Sequence, residues 1–120
     1  MEILDGVKDI LAEILDIEEQ DITAETYIVR ELGAESIDLL ELAISLNARF
    51  KVEVNDGEIF LARLRDYIIE AEEQEKDTVQ HLVVMLPFLT RNRLEEIVSD
   101  LEGGPTLKVK DLVSYIEWRQ

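Results

Sequence analysis

The sequence predicts an all-α fold built around one hydrophobic core. Apolar residues make up 47% of the 120 residues, enough to form such a core, and the length fits one domain. Runs that alternate apolar and polar residues, as strands do, are scarce. Five glycines and two prolines leave little room for long loops between helices.

The first helix is predicted over residues 2–16, because apolar residues recur there at the i, i+3, i+4 and i+7 positions of a helical face. They are Ile3, Leu4, Val7, Ile10, Leu11, Ile14 and Leu15. Residues 17–35 lose this period, and we interpret them as a long ordered loop. A long loop inside a small domain is commonly functional, which directs attention to the helix that follows it.

The second helix is predicted from about residue 36 to residue 50, and it carries two apolar faces at about 100° per residue. One face is the expected core stripe: Leu39, Leu42, Ala43, Leu46 and Phe50. The other consists of Ile37, Leu40 and Ile44, beside Asp38 and Glu41. Packing of the helix on two sides would explain this second face, and so would an exposed strip that docks on a basic, apolar partner surface.

The remaining chain predicts further helices. Residues 51–54 are expected to be extended and residues 55–57 to form a turn. Apolar periodicity then marks helices at about 59–71, from residue 77 or 78 to Pro87, and around 94–101, where Gly103-Gly104-Pro105 ends the helix. We interpret Arg91 and Arg93 as the start of a surface helix. The last helix is predicted over about 107–118.

Charge and composition exclude several classes of function. The chain has 12 basic and 28 acidic residues, a formal net charge of −16, which disfavours nucleic acids and anionic membranes and favours basic protein partners. It has no cysteine, which excludes disulfides and thiolate metal sites, and we expect no metal site of any kind. It shows no signal-peptide pattern and no run of about 18 apolar residues. We expect a cytoplasmic monomer that does not insert into membranes.

Ser36 stands where the second helix begins and has two possible roles. As an N-cap, its hydroxyl would accept a hydrogen bond from a free backbone N–H, worth about 1 kcal/mol. Alternatively, a phosphodiester on this hydroxyl would be favoured by the partial positive charge of the helix N-terminus. Gly33, three residues earlier, permits a tight turn that leaves open space above the serine.

The segment Leu32-Gly33-Ala34-Glu35-Ser36-Ile37-Asp38-Leu39-Leu40-Glu41-Leu42 resembles the prosthetic-group motif of acyl carrier proteins. The resemblance covers residues 2–56 and resumes at about 105–118, where residues 106–116 resemble the last helix of that family and its lead-in. It implies an acyl-carrier-like four-helix bundle in a single domain, 1–120. A helical insert at about 57–104 would enlarge the bundle by about two extra helices.

The resemblance also implies a function. A phosphopantetheinyl transferase would join 4'-phosphopantetheine from coenzyme A to Ser36, and the thiol of that arm would carry acyl groups as thioesters. The chain would then be a covalent substrate shuttle and not an enzyme. Its partners would be acyl-loading, synthase and acyltransferase enzymes with basic docking patches. Residues expected to contact them are Glu35, Ile37, Asp38, Leu40, Glu41 and Ile44, and residues expected to line a pocket for the acyl chain are Leu42, Leu46 and Phe50.

The sequence departs from the family pattern in ways that suggest a specialised carrier of a fatty-acid, lipid or polyketide pathway. Glu35 replaces the usual Asp, and the acidic positions late in the second helix are replaced by neutral and basic residues such as Arg49 and Lys51. The long insert would enlarge the acyl cavity, provide a docking surface for a partner, or only add residues to the hydrophobic core. Two alternatives stay open: a peptidyl or aminoacyl carrier of the same fold, and an unmodified acidic adaptor in which Ser36 is only a cap.

Overall fold

The computed structural model describes residues 2–120, which form seven α-helices and no β-strand. Two short 3₁₀ helices, Glu19–Asp21 and Leu101–Gly103, lie between them. The all-α fold class is therefore confirmed. The helices are α1 (Glu2–Leu15), α2 (Ser36–Phe50), α3 (Asp56–Ile59), α4 (Leu64–Glu73), α5 (Thr78–Met85), α6 (Arg91–Ser99) and α7 (Val109–Arg119).

The bundle is centred on α1, which packs against both α2 and α7. The fully buried side chains at this junction include Leu11 of α1, Leu46 of α2 and Ile116 of α7. Tyr115 of α7 also fixes the short α3, because its hydroxyl accepts the Asn55 N–H (3.1 Å) and donates to Oε1 of Glu58 (2.9 Å). Helices from the two ends of the chain therefore form one core.

The long loop before α2 is ordered, as expected, because it pairs with the segment that leads into α7. Tyr27 and Lys108 form an isolated antiparallel bridge. Around it, Ile28 N–H donates to the carbonyl of Leu107 (3.0 Å), and Val109 N–H donates to the carbonyl of Thr26 (3.0 Å). These backbone bonds hold the approach to Ser36 against the start of the last helix.

The third periodic stretch of the sequence divides into two helices, α3 and α4. A turn over residues 60–63 separates them, and Leu61 adopts the left-handed conformation there, with φ of 58°. Periodicity could not reveal this break, because Leu61 is buried and keeps the apolar pattern continuous. Three helices, α4 to α6, therefore extend the bundle beyond the short α3, where about two were expected.

Helices α4, α5 and α6 pack in sequence, α4 on α5 and α5 on α6. Asp77 caps α5 by accepting the Gln80 N–H (3.0 Å), and Thr90 caps α6 by accepting the Arg93 N–H (3.1 Å). Helix α5 ends at Met85, two residues before Pro87, as the restricted geometry before proline predicts. The segment from α4 to α6 is therefore folded helix by helix, with local caps on α5 and α6.

The interpretation of Arg93 as a surface residue is wrong. Its side chain is 7% exposed, and Nε and Nη2 lie 2.8 and 2.9 Å from the two carboxylate oxygens of Asp111, which is fully buried. Nη2 also donates to the carbonyl of Thr106 (2.7 Å). Burial alone would lower the pKa of Arg93, but the hydrogen bonds and charges of Asp111 and, after it, Glu96 outweigh burial and raise the pKa above its ordinary value. This pair attaches α6 to α7.

Candidate functional site

Ser36 is the first residue of α2, and Glu35 is its N-cap with extended backbone angles (φ −103°, ψ 172°). The expectation that Ser36 could be the cap is therefore wrong by one residue. The carboxylate of Asp38 accepts the Glu35 N–H (2.8 Å), which fixes the entry to the helix without the serine. The hydroxyl of Ser36 is exposed and makes no hydrogen bond with any residue in the range 2–120.

The surroundings of Ser36 suit a covalently attached phosphate. The first intrahelical hydrogen bond of α2 runs from Leu39 N–H to the carbonyl of Glu35 (3.0 Å), so the serine lies at the positive end of a 15-residue helix. Gly33 has φ of 69°, and no atom lies within 4 Å of the place where a Cβ would stand. A glycine therefore adopts this left-handed turn at little conformational cost, and the space around it is open.

A cleft of about 420 Å³ opens beside Ser36, and we call it the Ser36 cleft. Leu39 and Leu40 of α2 form one wall. The other wall comes from α3 and the turn after it. The lining residues are Ser36, Leu39, Leu40, Asp56, Gly57, Phe60 and Ala62. A flexible group attached to the serine hydroxyl would have this partly apolar surface next to it.

The second apolar face of α2 is exposed. Ile37, Leu40 and Ile44 have exposed fractions of 64%, 54% and 62%. We call these three residues the α2 strip. Glu35 and Glu41 beside it are also exposed, whereas Asp38 is half-buried because its carboxylate turns back to the helix entry. The structure thus places the apolar and acidic residues on one accessible surface around Ser36, and their role in partner contact stays a prediction.

The residues expected to line an acyl pocket lie deeper. Leu42 and Leu46 are buried in the common core, with exposed fractions of 1% and 0%, and neither lines the Ser36 cleft. Phe50 is half-buried, and its ring lies over Gly6 of α1, where an added Cβ would come within 2.6 Å of Cζ. An acyl pocket between these side chains stays a prediction.

Comparison with known proteins decides the family. The family model described as "Phosphopantetheine attachment site" matches residues 5–68, more than half of the chain, and this range contains Ser36. The acyl carrier protein of Campylobacter curvus (strain 525.92) is 35% identical over 72 residues, which cover 57% of this chain and 94% of that protein. The acyl carrier protein of Campylobacter lari is 34% identical over 77 residues, 63% of this chain and 100% of that protein. The chain belongs to the acyl carrier protein family.

Membership settles the class of activity. The chain is a carrier and not an enzyme, and its cofactor is 4'-phosphopantetheine. The family works with phosphopantetheinyl transferases and with synthase or acyltransferase enzymes. No solved structure matches the chain. The family match ends at residue 68, inside α4. Helix α7 therefore lies outside the matched range, and it nevertheless packs on α1, which lies mostly inside that range.

Membrane-spanning helices and metal-binding clusters are both absent from residues 2–120. None of the helices there has the length and apolar content needed to cross a membrane. Among the same residues, no group of three or more histidine, cysteine, aspartate or glutamate side chains is arranged to hold a metal ion.

Sequence reasoning missed a clamp between the loop before Ser36 and the segment that follows α6. Nη2 of Arg30 donates to the carbonyls of Asp100 (2.8 Å) and Gly104 (2.9 Å), and Nη1 lies 3.1 Å from the Asp100 carboxylate. The hydroxyl of Tyr27 donates to the same carboxylate. These hydrogen bonds lower the pKa of Asp100, and the bond from Tyr27 has a larger effect than the bond from Arg30. No local pattern could have indicated this clamp, because its partners lie about 70 residues apart in the sequence.

Proposed function

We propose that 4'-phosphopantetheine is attached to the hydroxyl of Ser36 and that the chain delivers acyl groups to partner enzymes of a specialised fatty-acid, lipid or polyketide pathway. The observation that carries this proposal is the exposed, unbonded hydroxyl at the start of α2, inside the range that matches the family. When attached, the arm supplies a thiol that holds acyl groups as thioesters.

The residues around Ser36 fit such an arm. The N-terminal amides of α2 and the helix dipole favour the phosphodiester charge. Gly33 leaves the approach open, and the Ser36 cleft accepts part of the arm beside Leu39 and Phe60. The unmodified-adaptor alternative requires the motif to be inert. Glu35 is the N-cap of α2 in this structure, so helix capping gives no reason for a serine at position 36.

The α2 strip and the acids around it form the proposed docking surface for partner enzymes. Burial of this exposed apolar strip against a partner would lower the free energy of the complex. Glu35, Asp38 and Glu41 would steer a basic patch of the partner into register with Ser36. In this arrangement Leu42, Leu46 and Phe50 would form the protein wall behind an acyl chain that enters between the helices.

The proposed domain organisation is a single domain, 1–120, with a carrier core at 2–56 and 105–118 and an insert at about 57–104. It is supported by the packing of α7 on α1 and by the backbone pairing of Tyr27 with Lys108. We expect the chain to act as a monomer in the cytoplasm, and to approach neither nucleic acids nor anionic membranes because of its net charge of −16.

The test of attachment is intact mass after incubation with coenzyme A and a broad-specificity phosphopantetheinyl transferase. We expect one phosphopantetheine increment for the wild type and for Ser45→Ala, and none for Ser36→Ala. Ser45 is the matched control, because it lies on the same helix nine residues further on. An increment that survives Ser36→Ala would contradict the proposal.

The docking surface is tested on the loaded chain with an acyltransferase that accepts it. We expect Leu40→Asp and Glu41→Lys to reduce the rate of acyl transfer while attachment to Ser36 continues. Ala48→Lys is the control, since Ala48 is exposed on α2 but lies outside the strip. Equal losses in Ala48→Lys and Glu41→Lys would show a general effect of charge and contradict a specific docking surface.

A further inference from the structure

A groove of about 560 Å³ runs along α4, and we call it the α4 groove. Its apolar lining comes from α4 and from the segment that follows α6: Leu64, Ile68 and Ile69, with Leu101 and Pro105. Ile69 and Leu101 are 44% and 39% exposed. Two large apolar side chains that stay exposed within one groove indicate a candidate interaction site, unlike single apolar residues scattered over a surface.

The wall of the groove formed by residues 104–106 is fixed by two arginines from other parts of the chain. Nη2 of Arg30 donates to the carbonyl of Gly104 (2.9 Å), and Nη2 of Arg93 donates to the carbonyl of Thr106 (2.7 Å). Gly104 and Thr106 both line the groove. A ligand therefore meets a preformed wall, and little free energy is spent on ordering it.

Arg65 is the one charged residue of the groove lining, and it is exposed. The positions i+3 and i+4 from it on α4 are Ile68 and Ile69, so no acidic side chain stands where the helix would pair with it. Arg65 forms no hydrogen bond or ion pair with the other residues in the range 2–120, whereas every other arginine there does. The groove therefore combines apolar surface with an unpaired positive charge.

The sign of this charge distinguishes the α4 groove from the α2 strip. The strip has exposed acids, Glu35 and Glu41, beside its apolar side chains. The groove has a free guanidinium, so its complementary occupant carries a carboxylate next to apolar side chains. The net charge of −16 would repel a strongly acidic segment at long range, so we expect an occupant with few carboxylates that is otherwise neutral.

The backbone groups around the groove favour a helical occupant. Extended peptides commonly bind by adding a strand to the edge of a sheet, and residues 2–120 contain no strand. The carbonyls of Gly104 and Thr106 already accept hydrogen bonds from the arginines. A helix satisfies its own backbone and needs only side-chain contacts. Helix α4 has ten residues and is about 15 Å long, which a partner helix of about three turns would match.

We propose that the α4 groove binds a short amphipathic helix of a partner protein, with apolar side chains against Ile69 and Leu101 and a carboxylate on the guanidinium of Arg65. The groove is then a second docking surface, opposite in charge to the α2 strip. Its occupation requires no group on Ser36, so this proposal and the proposed attachment fail independently.

The probes for the test are two stapled helical peptides of about three turns. Both have the same leucine face and glutamine elsewhere, and they differ only beside that face, where one carries glutamate and the other lysine. Binding to the full, unmodified chain is followed by the methyl signals of isoleucine and leucine in NMR. We expect the glutamate peptide to shift the signals of Ile69 and Leu101, and the lysine peptide to leave both unchanged.

Two variants of the chain locate the contact. Arg65→Glu should weaken binding of the glutamate peptide about tenfold, because an attraction between exposed charges becomes a repulsion. Lys76→Glu is the matched control, since Lys76 is exposed, lies outside the groove and gives the same change of charge. Ile69→Asp should abolish the shift of Leu101 with an unchanged circular dichroism spectrum. Val84→Asp is its control, because Val84 is 66% exposed on α5 and outside the groove.

Several results would overturn the proposal. Unshifted signals of Ile69 and Leu101 at millimolar glutamate peptide would do so, as would equal binding of both peptides, or equal binding to the wild type and Arg65→Glu. Shifts of the same signals when the chain alone is diluted would assign the groove to a second copy instead. Displacement of the peptide by hexadecanoate at a lower concentration than the peptide itself would assign it to an aliphatic ligand.

Discussion

Replacing Arg93 with methionine should destabilise the chain strongly, because it removes one half of a buried ion pair. Asp111 is fully buried and would keep only the Lys108 N–H (2.9 Å) of its hydrogen bonds. Breaking a buried pair in this way costs about 3–5 kcal/mol. A domain of this size has about 5–15 kcal/mol of total stability. We therefore expect Arg93→Met to lower the melting temperature by roughly 12–20 °C.

The matched control is Arg91→Met, on the same helix two residues earlier. Arg91 is half-exposed, and its ion-pair contacts with Asp77 and Glu95 are 3.7 Å long. Exposed pairs of this kind are worth about 0–1 kcal/mol. Both variants should be measured by thermal unfolding and by urea unfolding, each monitored by circular dichroism at pH 7.

A double variant separates the loss of the ion pair from the loss of packing. Arg93→Met combined with Asp111→Asn removes the unpaired charge while it keeps an acceptor for the Lys108 N–H. We expect this double variant to be more stable than Arg93→Met alone. If Arg93→Met costs no more stability than Arg91→Met, the claim that the buried pair attaches α6 to α7 is wrong.

Three further predictions concern the approach to Ser36 and the insert. The pKa of Asp100 is lowered from its ordinary value of 3.8, so the clamp contributes stability above that value and loses it as pH falls through the lower folded pKa. The protection factor of the Gly33 amide, which corrects for the intrinsic pH dependence of exchange, should therefore fall below about pH 4. Asp100→Asn should remove this pH dependence. Thr90→Ala should cost about 1 kcal/mol in urea unfolding, because it removes the cap of α6, and Thr90→Ser should restore most of it. Gly33→Ala should lower the free energy of unfolding by about 1–2 kcal/mol, because φ of 69° strains any residue with a Cβ. It should also slow the attachment of phosphopantetheine to Ser36. Equal attachment rates for Gly33→Ala and the wild type would contradict a constrained turn.

The sequence predicted the bundle well where apolar periodicity is long and one-sided. The stripe from Ile3 to Leu15 and the final stretch up to residue 118 each became a helix near its expected ends. Such stripes are local signals, because each side chain on the face has a neighbour three or four residues away. Periodicity could not separate α3 from α4, since Leu61 is buried in the turn itself.

The candidate site was only partly predictable. The position of Ser36 at the start of α2 followed from the local pattern. The residue types do not specify that Glu35 is the cap, because this depends on its extended backbone conformation. The exposure of Ile44 was undecidable from α2 alone, because it depends on which helices pack around it. The pairs Arg93–Asp111 and Arg30–Asp100 join residues 18 and 70 positions apart, and a single sequence contains no signal for such pairs.

The most direct test of the central claim is tandem mass spectrometry of the chain after loading with coenzyme A and a phosphopantetheinyl transferase. The structure predicts that fragment ions place the whole phosphopantetheine increment on Ser36. The other serines, Ser45, Ser99 and Ser114, should remain unmodified. An increment on any of these three, or a chain that stays unmodified while a known acyl carrier protein is loaded in the same reaction, would contradict the assignment of Ser36.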